Sequence, residues 1–76
     1  MEYGYINDIP VNTDNGSPYD RGAADSYYQR PRDPHYYPEG TYKGPRIGLG
    51  EMYPFEVDEY HAGYDWNETY GDQKVW

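Results

Sequence analysis

Seventy-six residues and 9.0 kDa leave room for one small domain, which excludes a Rossmann unit or a barrel. Fourteen acidic residues against six basic ones give a net charge of -8, so DNA, RNA and anionic lipid are repelled beyond local contacts. The absence of cysteine excludes disulfides and thiolate metal sites.

Leu, Ile, Val and Phe together number only eight, a level at which disorder is expected. Twelve tyrosines oppose that reading, since each can bury a large ring while its hydroxyl keeps a partner. No apolar run approaches the roughly 20 residues that span a bilayer. Met1-Glu2-Tyr3-Gly4-Tyr5 carries no basic, then apolar, leader pattern, so a cytoplasmic location is expected. Charge is uneven: residues 1–16 sum to -3, residues 17–50 to +1 and residues 51–76 to -6. The last third is the acidic element.

Residues 1–16 read as an N-terminal arm, with a short extended piece over 3–6, a break at Pro10 and a turn at Asp14-Asn15-Gly16. Ser17-Pro18 then reads as a helix start, because serine caps and proline tolerates the first helical position. Tyr19, Ala23 and Tyr27 fall on one stripe, which predicts a helix over 18–29 ended by Pro31. Residues 30–50 hold four prolines and four glycines and predict a long irregular loop. Pro54, with Glu56, Asp58 and Glu59 behind it, opens a second helix over 54–68. Its stripe is Tyr53, Val57, Tyr60 and Tyr64. Residues 71–76 read as a tail that Trp76 could dock. The expected fold is therefore small and all-α, with a domain over 17–70 and a core of Tyr19, Ala23, Tyr27, Val57, Tyr60 and Tyr64. Modest stability follows from so small a core, and dimerisation could complete it.

Tyr19-Asp20-Arg21-Gly22 and Tyr60-His61-Ala62-Gly63 share a Tyr-x-x-Gly pattern. A glycine inside a helix costs about 1 kcal/mol relative to alanine. Two of them mark places where a neighbouring backbone or ring comes close.

Residues that carry chemistry are few. Asp58, His61 and Asp65 share a helical face, but one histidine on an acidic surface explains them without a metal. Asp65–Gly71 begins like a calcium loop with its glycine one place late and no closing glutamate. Ser17 and Ser26 have no local histidine, and a minimal core is a poor support for a catalytic site. A non-enzyme without cofactor or metal is expected. Two partner-binding readings remain. Glu56, Asp58, Glu59, Asp65 and Glu68 can present nucleic-acid-like charge to a basic groove. Alternatively, Arg30, Arg32, Lys43 and Arg46, interleaved with Tyr36 and Tyr37, can hold RNA by stacking and charge.

The order Tyr19-x-x-Gly22-x-x-Asp25, Arg30, Pro34-His35-Tyr36, then Tyr60-x-x-Gly63-Tyr64 resembles the ribosome modulation factor family. Ser17–Tyr37 with Glu56–Asn67 also resembles small uncharacterised proteins of tailed bacteriophages. The resemblance spans about 50 residues and implies two helices joined by a long linker, and binding to the small ribosomal subunit. That family is strongly basic, whereas this chain is acidic. The reading that follows is a phage-related, cytoplasmic protein that binds and inhibits or modulates a basic host protein of nucleic-acid metabolism, with a DNA-mimicking acidic surface as the expected means. A hibernation-like factor contacting ribosomal RNA is the alternative.

Overall fold

The computed structural model describes residues 3–6 and 9–74. Strands β1 (Tyr3–Ile6) and β2 (Ile9–Asn12) pair antiparallel, with Tyr3 opposite Asn12 and Ile6 opposite Ile9. The expected arm is thus a two-stranded ladder in its described part. Pro10 sits in β2 opposite Tyr5. A two-stranded sheet has only edge strands, where the missing proline N–H can face away from the ladder.

Helix α1 spans Pro18–Tyr27. Ser17 caps it, accepting from the Asp20 N–H at 3.2 Å, and the Asp20 carboxylate accepts from the Gly16 N–H at 2.9 Å. The helix ends two residues earlier than Pro31 predicts. Gln29 adopts the left-handed conformation at φ 59°. The Gln29 and Arg30 amides return to the carbonyls of Ser26 and Asp25. This is a Schellman closure with glutamine where glycine is usual.

The segment expected to be one irregular loop carries a second ladder. Strands β3 (His35–Tyr36) and β4 (Ile47–Gly48) pair antiparallel, and a 3-10 turn follows at Leu49–Glu51. The fold is therefore two helices with two short ladders, not all-α. Helix α2 runs Pro54–Tyr70, two residues past expectation, and Gly71 closes it through its N–H to the Asn67 carbonyl. Glu56 anchors its start by accepting from the Tyr53 N–H at 2.9 Å. No helix among the described residues is long and apolar enough to cross a membrane.

The two helices cross at the repeated motif. A Cβ on Gly22 would lie 2.9 Å from the Tyr60 carbonyl carbon and 3.0 Å from the Tyr64 nitrogen. A Cβ on Gly63 would lie 2.9 Å from the Tyr19 carbonyl carbon. Each Tyr-x-x-Gly thus offers its glycine to the tyrosine carbonyl of the other. Backbone meets backbone, and no side chain fits between.

The core is more polar than the tyrosine stripe predicts. Tyr60 is wholly buried, at 0 % exposure. Tyr19, Ala23, Val57 and Tyr64 are half-buried, and Tyr27 is 38 % exposed. Around Tyr60 the buried side chains are polar: Arg21, Asp25, Ser26, His35 and Asn67 among them. Eight large aliphatic and Phe residues cannot fill a core, so hydrogen-bonded polar groups complete it. The described part of the tail docks: Lys74 N–H donates to the Tyr27 carbonyl at 2.7 Å, and the Gln29 amide donates to the Lys74 carbonyl. Trp76 lies outside the described residues.

Candidate functional site

Buried chemistry converges on the Tyr60 hydroxyl. It donates to Asp25 Oδ2 and accepts from the Asp33 N–H at 3.0 Å. Burial, then the hydrogen bond to Asp25, raises its pKa far above the usual phenol range. Asp25 also takes Arg30 Nη1 at 3.5 Å, and its Oδ2 lies 3.9 Å from His35 Nδ1. His35 Nδ1 sits 2.6 Å from the Asp33 carbonyl, which can only accept, so Nδ1 carries a proton. Arg21 Nε donates to His35 Nε2 at 3.3 Å, so Nε2 carries none. Both ring nitrogens of His35 are thus engaged, one by the Asp33 carbonyl and one by Arg21.

Arg21, Asp25, Asp33 and His35 were not distinguishable as a group from sequence. They come from α1, from the stretch before β3 and from β3 itself, and they meet where β3 lies against α1 beside Tyr60. Two sequence signals bear on them: Asp25, His35 and Tyr60 stand in the resemblance pattern, and Pro31 and Pro34 keep extended the stretch whose Asp33 N–H meets Tyr60.

The five carboxylates expected to face a partner are not equivalent. Glu56 caps α2, Asp65 pairs with Arg32, and Glu68 accepts from the Ser26 hydroxyl at 2.6 Å and from the Gln73 amide at 2.7 Å. Asp58 is exposed. Glu59 is half-buried, and its carboxyl is held above the usual carboxylate range by burial and then by neighbouring Glu56. Between these acids stand exposed aromatics: Phe55 at 61 %, Trp66, and Tyr70 at 75 %. At 3.6 residues per turn, positions 55, 59, 66 and 70 form one row and 58 and 65 the row beside it. Both rows turn away from Tyr60. A groove of about 380 Å³ begins at the first turn of α2, where Phe55, Glu56 and Glu59 face Tyr36 and Asp14.

The central cations divide between two faces. Arg32 meets Asp65 and His61 and lies over the Tyr64 ring at 4.3 Å. Tyr36 turns toward Glu56, where burial and then that carboxylate raise its pKa. Lys43 is exposed in the loop before β4. Arg30, Tyr37 and Arg46 come together with Arg21 and Tyr42 around a pocket of about 270 Å³. Among the described residues, no three His, Asp or Glu side chains converge as a metal site requires; Asp65 and His61 both meet Arg32 instead.

No family model, curated protein or solved structure matches this chain.

Proposed function

We propose that the chain is a non-enzymatic binding protein whose solvent-facing rows on α2 dock onto a basic surface of a protein that handles nucleic acid, and so modulate it. The observation that carries this reading is the outer face of α2, where exposed Phe55, Trp66 and Tyr70 alternate with Asp58, Glu59 and Asp65. Rigid aromatic side chains supply contact area at low entropic cost, and aromatics are enriched among residues that dominate interfaces. Carboxylates between them select a basic partner and speed encounter. The Glu56–Glu59 pair at the groove adds a second preference. Two carboxylates that disfavour each other's charge gain from a partner's Lys or Arg inserted beside Phe55.

Charge alone does not account for this face. A pure mimic of the phosphate backbone needs acids, not Phe55 and Trp66. Aromatic anchors and acids together fit a protein surface that is basic and partly apolar.

The test is the affinity for the captured partner as a function of salt. Neutralising Asp58 and Glu59 is expected to flatten the salt dependence. Phe55→Ala with Trp66→Ala is expected to speed dissociation while leaving the salt slope in place. Affinity unchanged by both pairs of substitutions contradicts the reading.

A further inference from the structure

We propose that the pocket between α1, β3 and the loop carrying Tyr42 binds a phosphate group, either free phosphate or a phosphomonoester.

The pocket is built around Arg21, which is 5 % exposed. Among the described residues no carboxylate lies within 4 Å of its guanidinium. Its Nε is bound to His35, and an imidazole brings no negative charge to balance it. The rings of Tyr37 and Tyr42 stand 5.9 and 5.4 Å from it and shield it further from water. A buried guanidinium without a counter-ion is costly. The two carboxylates nearby do not relieve it. Asp25 is taken by Tyr60 and Arg30, and Asp33 is turned outward to Arg46 at 2.8 Å. A bound anion supplies the missing charge.

Three features point to phosphate. First, Arg21, Arg30 and Arg46 all line one cavity. A tetrahedral dianion takes donors from several directions, whereas a carboxylate is satisfied by one guanidinium fork. Arg30 and Arg46 each spend one nitrogen on an aspartate, and both are partly exposed, so N–H donors remain. Second, the five charged lining residues sum to +1 in a chain of net charge -8. The surrounding acidic surface repels a polyanion, while a single phosphate needs only the local field. Third, about 270 Å³ is small for a whole nucleotide and sufficient for a phosphate head group.

Tyr42 supports the assignment independently. It holds φ at 62°, a conformation that a bulky side chain adopts at a cost. Its ring stands beside Arg21 and 5.5 Å from the Tyr37 ring. Backbone strain of this kind gathers at ligand sites.

The test titrates the full chain with inorganic phosphate and, separately, with phenyl phosphate, against sodium chloride at equal ionic strength. Arginine Nε–H resonances and thermal stability are read together. A saturable shift of the Arg21 resonance, with a rise in Tm that chloride does not reproduce, is expected. A tighter response to phenyl phosphate identifies a monoester site; an equal or tighter response to inorganic phosphate identifies a free-phosphate site. Arg21→Gln is expected to weaken binding by at least about tenfold, the scale of one charge-assisted hydrogen bond. Where Arg21→Gln disturbs folding, Arg30→Gln with Arg46→Gln at the rim gives the same reading. Tyr42→Gly separates site from scaffold: it is expected to raise Tm without ligand and to weaken phosphate binding. Shifts equal to those of chloride, or affinity unchanged by the Arg30/Arg46 pair, overturn the proposal.

Discussion

Replacing Gly63 by alanine tests the helix crossing directly. The new Cβ would lie 2.9 Å from the Tyr19 carbonyl carbon and 3.1 Å from its Cα, and nearer still to the oxygen. Carbon atoms in contact prefer about 3.5–4.0 Å. The helices must therefore separate by about 0.6 Å or more at this point. The obstacle is backbone, so no rotamer change removes it. A gap of about 0.5–1 Å forfeits a quarter to a half of each dispersion contact around it. It also stretches the bonds from Tyr60 to Asp25 and Asp33. Overpacking costs about 1–3 kcal/mol, and a clash with unyielding backbone stands at the upper end, against a helix-propensity return of about 1 kcal/mol for alanine over glycine. A net loss of about 2 kcal/mol is expected, which lowers Tm by about 8–16 °C in a domain of this size. Gly22→Ala meets Tyr60 in the same way and should behave alike. Gly50→Ala, with nothing within 4 Å of the added carbon, is the control and should stay within about 0.5 kcal/mol of the parent chain. Thermal melts followed by circular dichroism compare all three. Gly63→Ala or Gly22→Ala as stable as the parent would refute the close crossing.

Other expectations follow from the same network. Tyr60→Phe removes a hydrogen bond to a buried carboxylate and should cost about 2–3 kcal/mol in urea denaturation. Because folding raises the Tyr60 pKa, its contribution is whole below the ordinary phenol value of about 10 and is lost as pH climbs through the raised value. An absorbance titration should therefore show one tyrosine that ionises only as the chain unfolds in alkali. Glu59 also has a raised pKa, so its contribution is whole below the ordinary carboxylate value and lost as pH rises through the raised one. Glu59→Gln should thus stabilise the fold at pH 7 by about 0.2–0.5 kcal/mol, the scale of a like-charge pair one turn apart, and the gain should vanish in acid. Gln29→Gly relieves the left-handed residue after α1 but gives up the amide bond to the Lys74 carbonyl, so it should melt above Gln29→Ala, which loses the same bond and keeps the strain; Gln29→Gly no more stable than Gln29→Ala would contradict the Schellman reading.

Helix starts were legible in the sequence because they rest on local chemistry. Ser17-Pro18 with Asp20, and Pro54 with Glu56, are signals within four residues. Ends were harder. The end of α1 depends on Gln29 accepting a conformation that glycine normally marks, and α2 continues through Thr69 and Tyr70 until Gly71. The β3–β4 ladder pairs two residues with two across an intervening stretch of ten, and no short-range pattern encodes that register. The Tyr-x-x-Gly repeat gave the crossing point because a helical glycine has few purposes. The polar core did not announce itself. Arg21 and Asp25 look like surface residues of an amphipathic helix until β3 delivers His35 and α2 delivers Tyr60. The same folding explains why the central cations did not act as one patch: Arg32 is drawn to Asp65, while Arg30 and Arg46 flank Arg21.

The docking face of α2 is tested most directly by capture from bacterial lysate at low salt, comparing the parent chain with a Phe55→Ala, Asp58→Asn, Glu59→Gln, Trp66→Ala variant that retains its circular dichroism. Each is run with and without excess duplex DNA, and bound proteins are identified by mass spectrometry. The account predicts a basic nucleic-acid-handling protein that the parent retains, duplex DNA displaces and the variant does not hold. Small-subunit ribosomal proteins retained equally by both chains and unaffected by duplex DNA would contradict it.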